Sequence, residues 1–398
     1  MANTLLTPQM ITREALRLLH NKLTFVGSIN RQYDSSFAKE GAKIGSQLRI
    51  RKPVQFTVRT GATINIQDVI ETETTITVAT QKGIDFQFSS TELTLSIDAF
   101  SERYLEPAMA RLAAEIEADV FNVVKEVFSQ VGTPGTTPAT LSVYLNARSR
   151  LNQFLAPKDN NRHVCINSDA SAATVDALKG LFQDATQIAQ QYKEGMLGRI
   201  AGFNFWENEL IPVLTTGTRT GTIQVNGAGQ TGSSLALKGL NANGTIKAGE
   251  VFTIANVYAV HPETKQPYPF LQQFVVTEDA TADGSGNVTV SISPSIITSG
   301  AYQTVSAGPA NNAAVTFAGS ASTAYPLNIA YHKDAFTFVT ADLELPQGVH
   351  FAARETYDGI SLRIIRDYSI SNDTFPCRID VLYGYKCIRP ELACRIIG

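Results

Sequence analysis

Between Gln47 and Ser90 the apolar residues recur at every second position: Leu48 and Ile50, Phe56 and Val58, Ile64 and Ile66, Ile76 and Val78, then Ile84, Phe86 and Phe88. A period of two sustained this long means extended strands with one face against something apolar. No helical pattern interrupts the stretch, and Gly61 marks a tip. The cover for such a ribbon must come from the chain's own body or from another copy, because an isolated two-stranded ribbon is marginal in water. Its charge is lopsided as well. Arg49, Arg51, Lys52 and Arg59 lie on the outgoing leg, and Asp68, Glu71 and Glu73 on the return. These seven residues form either a solvated rim or complementary patches between neighbouring subunits, each exposed pair contributing about 0 to 1 kcal/mol. They are the candidate intersubunit contacts.

Helical signals flank the ribbon. Thr7 can cap and Pro8 can open a helix whose apolar residues Ile11, Ala15, Leu18 and Leu19 share one stripe. That helix packs on its own domain or docks on a neighbour as an arm. After the ribbon, Phe100, Tyr104, Leu105, Met109, Leu112, Ile116, Val120, Val124 and Val127 recur at three and four, with Asp98 as a possible cap and Pro107 in the first turn or at a kink. Residues 107–130 count 24, which predicts a girder of about 36 Å. Gly132 to Pro138 stops it.

Residues 140–214 read as mixed α/β, with helices near Leu141–Leu155 and Ala172–Phe182 and strands near His163–Asn167 and Arg199–Trp206. Composition then changes abruptly. The 111 residues from Thr215 to Tyr325 hold 9 charged side chains, against 60 in the other 287, and 13 of the 28 glycines. Short runs such as Thr222–Val225, Val251–Val260, Phe274–Thr277 and Val288–Ile292 sit between Gly, Asn and Asp turns, the pattern of a small β-barrel or sandwich inserted into an α/β chain. After Tyr325 ordinary composition returns. Strands near Phe336–Val339, Phe351–Arg354, Ser361–Tyr368 and Cys377–Ile388 are expected to rejoin the sheet begun before the insertion.

Charge and motifs exclude most chemistry. A net charge of -3 argues against affinity built on neutralising many phosphates. No apolar run reaches the roughly 18 to 20 residues of a membrane span. The four cysteines, at 165, 377, 387 and 394, form no Cys-x-x-Cys pair and are expected to be reduced and buried; the five histidines are scattered. Gly227-Ala-Gly229-Gln-Thr-Gly232 matches a dinucleotide fingerprint in spacing, but no amphipathic helix follows, so it reads as a glycine-rich turn. Glu115 and Asp119 would share a helix face, an arrangement expected to be solvated surface. The Asn-x-Ser/Thr tripeptides at Asn243, Asn287 and Asn372 are taken as chance. No catalytic residue, metal ligand or cofactor is expected.

Three stretches carry a family resemblance: Ile84-Asp-Phe-Gln-Phe88 before the long helix, Gly198-Arg-Ile-Ala-Gly-Phe-Asn-Phe-Trp206 with Leu210-Ile-Pro-Val-Leu214 before the insertion, and Leu382-Tyr-Gly-Tyr-Lys-Cys-Ile-Arg-Pro-Glu391 near the end. In this order, with the insertion, the chain resembles the major capsid proteins of tailed bacteriophages, the Johnson fold, and more closely the coat proteins of short-tailed phages with an added β-barrel domain. The resemblance implies an α+β fold divided into an N-terminal arm (1–46), an extended β-hairpin loop (47–90), a spine helix and peripheral domain (91–138), an axial domain in two parts (139–214 and 326–376), an inserted β-barrel (215–325) and closing strands (377–398). It implies a non-enzymatic homo-oligomer of pentamers and hexamers; a variant of this fold crosslinks Lys to Asn between subunits, but no local signature of that is present, so noncovalent assembly is expected. That shell is built in the host bacterial cytoplasm around a scaffolding protein and a portal, expands from a procapsid, and encloses double-stranded DNA without reading its sequence. A phage tail or fibre protein, or a carbohydrate-binding β-rich protein, is the alternative; the long helix and the ribbon before it speak against that.

Overall fold

The computed structural model describes residues 8–34, 47–51, 54–58, 61–62, 64, 66, 73–89, 104–178, 198–370 and 374–398. Thr7, Asp98 and Phe100, expected at helix starts, lie outside them. Two compact units result, one from residues 1–51, 73–121 and 336–388, the other from 52–72, 122–335 and 389–398.

In the first unit one long strand, Thr374–Cys387, organises a six-stranded sheet. One edge of it pairs antiparallel with Phe336–Ala341 and Ile360–Arg366, and the other accepts β4 (Thr80–Ser89) over ten residue pairs, Tyr383 opposite Thr80 through Thr374 opposite Ser89. The strand Phe351–Tyr357 pairs with 360–366, and β1 (Asn30–Asp34) runs parallel to 336–341. Helix α1 (Pro8–Lys22) places Ile11, Ala15, Leu16, Leu18 and Leu19 in the core of this unit, so the arm's helix packs on its own body. A second, one-turn helix, α2 (Phe25–Ser28), is capped from a distance: the buried Glu117 carboxylate accepts the Phe25 N–H at 2.7 Å and the Thr24 hydroxyl at 3.1 Å. That contact satisfies backbone donors left over at a helix start.

Glu117 belongs to α3 (Glu106–Val120), which buries Met109, Leu112, Ala113, Ile116 and Val120; Pro107 lies in its first turn. The helix is shorter than the 24 residues expected. From Phe121 to Glu126 the backbone tightens to a 3₁₀ helix. Phe121, Val123, Val124, Val127 and Phe128 are buried while Asn122 and Glu126 are exposed, so the apolar face runs on past the α-helix; the valines are weak helix formers.

In the second unit a mixed sheet runs in the order Gln130–Val131, Ala393–Ile397, Ala324–His332, Arg162–Ile166, Phe203–Glu207, Arg199–Ile200, with helices Leu141–Gln153 and Ser168–Leu178 in the same unit. Only 324–332 and 393–397 of the late strands join it. Strands 336–387, expected here, pair instead with β1 and β4 in the first unit. The strands within 215–325 form a separate antiparallel sheet in the order 224–225, 232–238, 288–296, 267–276, 251–260, 315–317. Its ends meet: the Val225 N–H donates to the Ala313 carbonyl and the Val315 N–H to the Ile223 carbonyl, both at 3.0 Å, closing a barrel around Leu235, Leu237, Ile254, Phe274 and Val290. The glycine excess has a cause in its turns. Gly239 and Gly286 hold positive φ angles (86° and 78°), and a Cβ at either would lie 2.1 Å from a carbonyl oxygen. Inside, Arg219 and Glu250 form a buried ion pair, and Glu250 also accepts the N–H groups of Gly217 (2.7 Å) and Lys247 (2.8 Å). Burial pushes the Glu250 carboxyl up and the Arg219 guanidinium down, each opposed by the other's charge.

Candidate assembly surface

The ribbon divides into three parts that share one periodicity. At its base β2 (Gln47–Arg51) pairs antiparallel with β3 (Glu73–Thr77), Leu48 opposite Ile76 and Ile50 opposite Thr74. The apolar side of this base is covered by the chain's own body: Ile76 and Val78 are fully buried with Val339, Ala341 and Leu382, and Leu48 and Ile50 pack against the same cluster. The seat is tight, since a Cβ on Gly384 would stand 2.4 Å from the Thr77 carbonyl oxygen. Lys386 fastens it by donating to the Thr75 carbonyl at 3.1 Å. Residues 80–89 leave the ribbon altogether and become β4 of the sheet. Of the hairpin expected over 47–90, the pairing seen among the described residues is that of 47–51 with 73–77.

The remaining part is the stretch between β2 and β3. Phe56 is 63% exposed, Val58 97%, Ile64 75% and Ile66 85%. These are four large apolar side chains close together in sequence, on a chain whose other apolar residues are mostly covered. Its tie within the second unit is polar: the Gln55 N–H donates to the Tyr302 hydroxyl at 3.4 Å, and Lys265 reaches the Gln55 side chain at 3.5 Å. Of the seven candidate charges, Arg49 and Glu73 pair within the chain at 3.4 Å, both exposed, and Arg51 stands opposite Glu73 in register. Lys52, Arg59, Asp68 and Glu71 lie outside the described residues. The ribbon's apolar tip thus carries more free surface than its described charges do, and the signal for it was the alternation itself.

The other sequence candidates serve structure. Gly227, Gly229 and Gly232 all adopt positive φ in a turn that leads into the strand 232–238; the Gly227 N–H donates to Asn311 Oδ1 at 3.0 Å and the Gly229 N–H to the Pro309 carbonyl at 2.9 Å, so these donors are occupied by the protein. Glu115 is exposed, as expected of a solvated face, but Asp119 is not. Asp119 accepts the hydroxyls of Tyr383 (2.7 Å) and Tyr385 (3.1 Å), and Lys82 of β4 lies 3.6 Å from Glu115 and 3.8 Å from Asp119. The cluster ties α3 to the long strand, and burial beside Asp119 raises the Tyr383 pKa. In the second unit the single tryptophan, Trp206, donates its indole N–H to His163 Nδ1 at 3.0 Å; burial, with His332 nearby, pushes His163 down to about 4. His332 is buried with Nε2 3.1 Å from Asp159. Burial acts to raise the Asp159 carboxyl, but hydrogen bonds from Asn161 and His332 hold it at about 2. All four cysteines are buried free thiols. Among the described residues no cluster could hold a metal ion, and no helix is long and apolar enough to cross a membrane.

Solved structures similar to the chain include that of Mycobacterium phage Che8 (11% identity, 94% of this chain and 90% of that one, TM-score 0.47) and the mature capsid of bacteriophage PhiM1 (11%, 92% and 85%, TM-score 0.45). The I-domain of the CUS-3 coat protein is 28% identical over 25% of this chain and 96% of its own, with a TM-score of 0.19. No curated protein sequence matches. The match to a family model over nearly the whole chain makes this a structural subunit of the capsid class. More narrowly, the chain belongs to the family described as "P22 coat protein - gene protein 5", whose model matches residues 2–398. It is a phage major capsid protein: copies of it form the icosahedral head shell of the virion, and it is not an enzyme. The tail, fibre and carbohydrate-binding alternatives give way to that assignment.

Proposed function

We propose that the ribbon between Arg51 and Glu73 lies over an adjacent subunit and that its burial there is a principal contact of the shell. The observation that supports this is the exposure of Phe56, Val58, Ile64 and Ile66, since contiguous exposed apolar patches mark interaction sites. On this reading the copies assemble as pentamers and hexamers around a scaffolding protein and a portal in the host cytoplasm, forming a procapsid that expands as double-stranded DNA enters. The DNA is enclosed without sequence readout, in keeping with the net charge of -3. Helix α3 acts as the spine of a peripheral domain and residues 139–214 as part of an axial domain. The closed barrel within 215–325 is an inserted domain that makes contacts between capsomers. Many modest interfaces reinforce one another through closure of the shell.

Reversal of Arg49, Arg51 and Arg59 to Glu tests the contact. The triple variant is expected to remain a soluble folded subunit but to assemble poorly, because rim charges act on encounter and register more than on subunit stability. Wild-type yields of shells, counted by electron microscopy, would overturn the charge component of the proposal. Assembly is noncovalent, so shells boiled in denaturant should release one band near 43.1 kDa; a ladder would refute that.

A further inference from the structure

In the second unit the barrel meets the α/β body along a seam built from groups that demand exact geometry. The strand Gln130–Val131 pairs on one side with Ala393–Ile397, Gln130 opposite Arg395, and on its other side has no partner strand among the described residues. The side-chain amide of Gln273, from the barrel strand Pro267–Val276, meets that backbone instead: the Gln130 N–H donates to Gln273 Oε1 and Gln273 Nε2 donates to the Gln130 carbonyl, both at 2.9 Å. A primary amide carries the donor and acceptor of a peptide unit, so the pair repeats the double exchange of two neighbouring strands. Arg395, the register partner of Gln130, works on the same seam. Its guanidinium is fully buried and donates to the Gly249 carbonyl of the barrel at 2.6 Å and to the Lys125 carbonyl of the body at 2.9 Å. Gly249 comes this close because it has no side chain; a Cβ there would stand 3.2 Å from that of Lys125.

Around these bonds the seam is apolar, with Phe128 and Phe154 of the body against Val251 and Val275 of the barrel. Apolar burial alone is non-directional and allows sliding. The amide and the guanidinium do not, because a tilt of the barrel would leave the buried Gln130 backbone and the Arg395 donors without their partners. We propose that Gln273 and Arg395 are positioning residues that lock the barrel at one angle on the body, so that every subunit presents its barrel to its neighbours in the same direction. The consequence for the shell rests on the contacts between capsomers proposed above. The lock does not, and it is tested on the unassembled subunit.

Spin labels at Ser149→Cys, exposed on the helix Leu141–Gln153, and Ser234→Cys, exposed on the barrel, report the angle as a distance distribution; the native cysteines are buried and stay unlabelled. The locked barrel gives one narrow distance, the same near pH 8 and near pH 5. Gln273→Leu keeps the bulk but orphans both Gln130 groups, and should spread the distance. Gln273→Glu discriminates a lock from mere packing. Near pH 8 its carboxylate faces the Gln130 carbonyl with no proton to donate, and the distance spreads; toward pH 5 the carboxyl takes up a proton, regains the donor and acceptor of the amide, and the distance should narrow again. Hydrogen exchange of the Leu235 and Val290 amides, deep in the barrel, checks that it stays folded in each variant. A broad wild-type distance, a Gln273→Leu distance as narrow as wild type, or a Gln273→Glu distance indifferent to pH would each overturn the lock. Shells of Gln273→Leu, counted and sized by electron microscopy, should be fewer and uneven. Uniform shells at wild-type yield from a variant whose distance has spread would overturn the consequence for the shell while the lock stands.

Discussion

Replacing Val58 and Ile66 together by Ser separates what the ribbon tip does for the subunit from what it does for the shell. Both side chains are almost fully exposed in the single chain, at 97% and 85%, so the substitution removes little that the subunit uses. Its effect on subunit stability should stay within about 0.5 kcal/mol, as for surface positions without special contacts. In the shell the accounting changes. Fully burying an aliphatic or aromatic side chain is worth about 1.5–3 kcal/mol, and the four exposed tip residues together amount to roughly three such side chains, about 5–9 kcal/mol per contact. The double variant forfeits roughly half, on the order of 3–4 kcal/mol, which weakens each contact more than about a hundredfold. Light scattering against subunit concentration measures the assembly threshold, and chemical unfolding of the unassembled subunit measures stability. The expected pairing is a threshold raised by about two orders of magnitude with an unmoved unfolding midpoint. Assembly at the wild-type threshold would refute the covering of the tip by a neighbour. A midpoint that falls in step with assembly would show that the tip belongs to the subunit's own core.

Three further perturbations probe the frame that carries the tip. Gly384→Ala puts a Cβ 2.4 Å from the Thr77 carbonyl and should cost about 1–3 kcal/mol as the ribbon base lifts, visible as lost hydrogen-exchange protection at Ile76 and Val78; retained protection would mean the seat can relax. Glu250→Gln leaves Arg219 charged and buried and should destabilise the barrel by about 3–5 kcal/mol, read from exchange of the amides of 252–254 and 274–276, whereas replacing both partners by Met should cost less. His163, held at about 4 against an ordinary 6.5, is favoured neutral in the folded chain. Its contribution is complete above pH 6.5 and is lost as pH falls from there through about 4, because the unfolded chain takes up the proton first. The full shift corresponds to about 3 kcal/mol, and partial exposure of the ring discounts this to roughly half. Fluorescence of Trp206, the chain's only tryptophan, should titrate with a midpoint near pH 4 and lose that transition in His163→Gln.

How far the sequence could be read depended on whether a feature is local. The glycine-rich stretch from Thr215 to Tyr325 was legible as β because turns needing positive φ, as at Gly239 and Gly286, leave a compositional mark wherever they occur. The helix 106–120 was legible by its stripe, but its end was not. Apolar residues continue at similar spacing through Phe128, although the backbone changes to 3₁₀ at Phe121. The partners of Asp119 were not legible either. Four-residue spacing describes one face of a helix, whereas the tyrosines that occupy it, Tyr383 and Tyr385, arrive from more than 260 residues away.

The ribbon is the sharpest case, because a single period of two describes three different fates. Ile76 and Val78 meet Val339 and Leu382, Ile84 and Phe86 enter a sheet beside Ile379 and Cys377, and Phe56, Val58, Ile64 and Ile66 meet water. Alternation reports that a face wants cover; it carries nothing about who provides it. What distinguishes the tip is its exposure, 63–97% at these four side chains. The buried base anchors one end of the ribbon on a rigid sheet through the close approach of Gly384 to Thr77, and an anchored base loses less freedom when the tip finds a surface. An entirely exposed ribbon would have to be ordered on binding, and an entirely buried one would have nothing to offer. A ribbon buried at its root and apolar at its tip is the arrangement in which a weak contact, repeated around a closed shell, becomes cooperative.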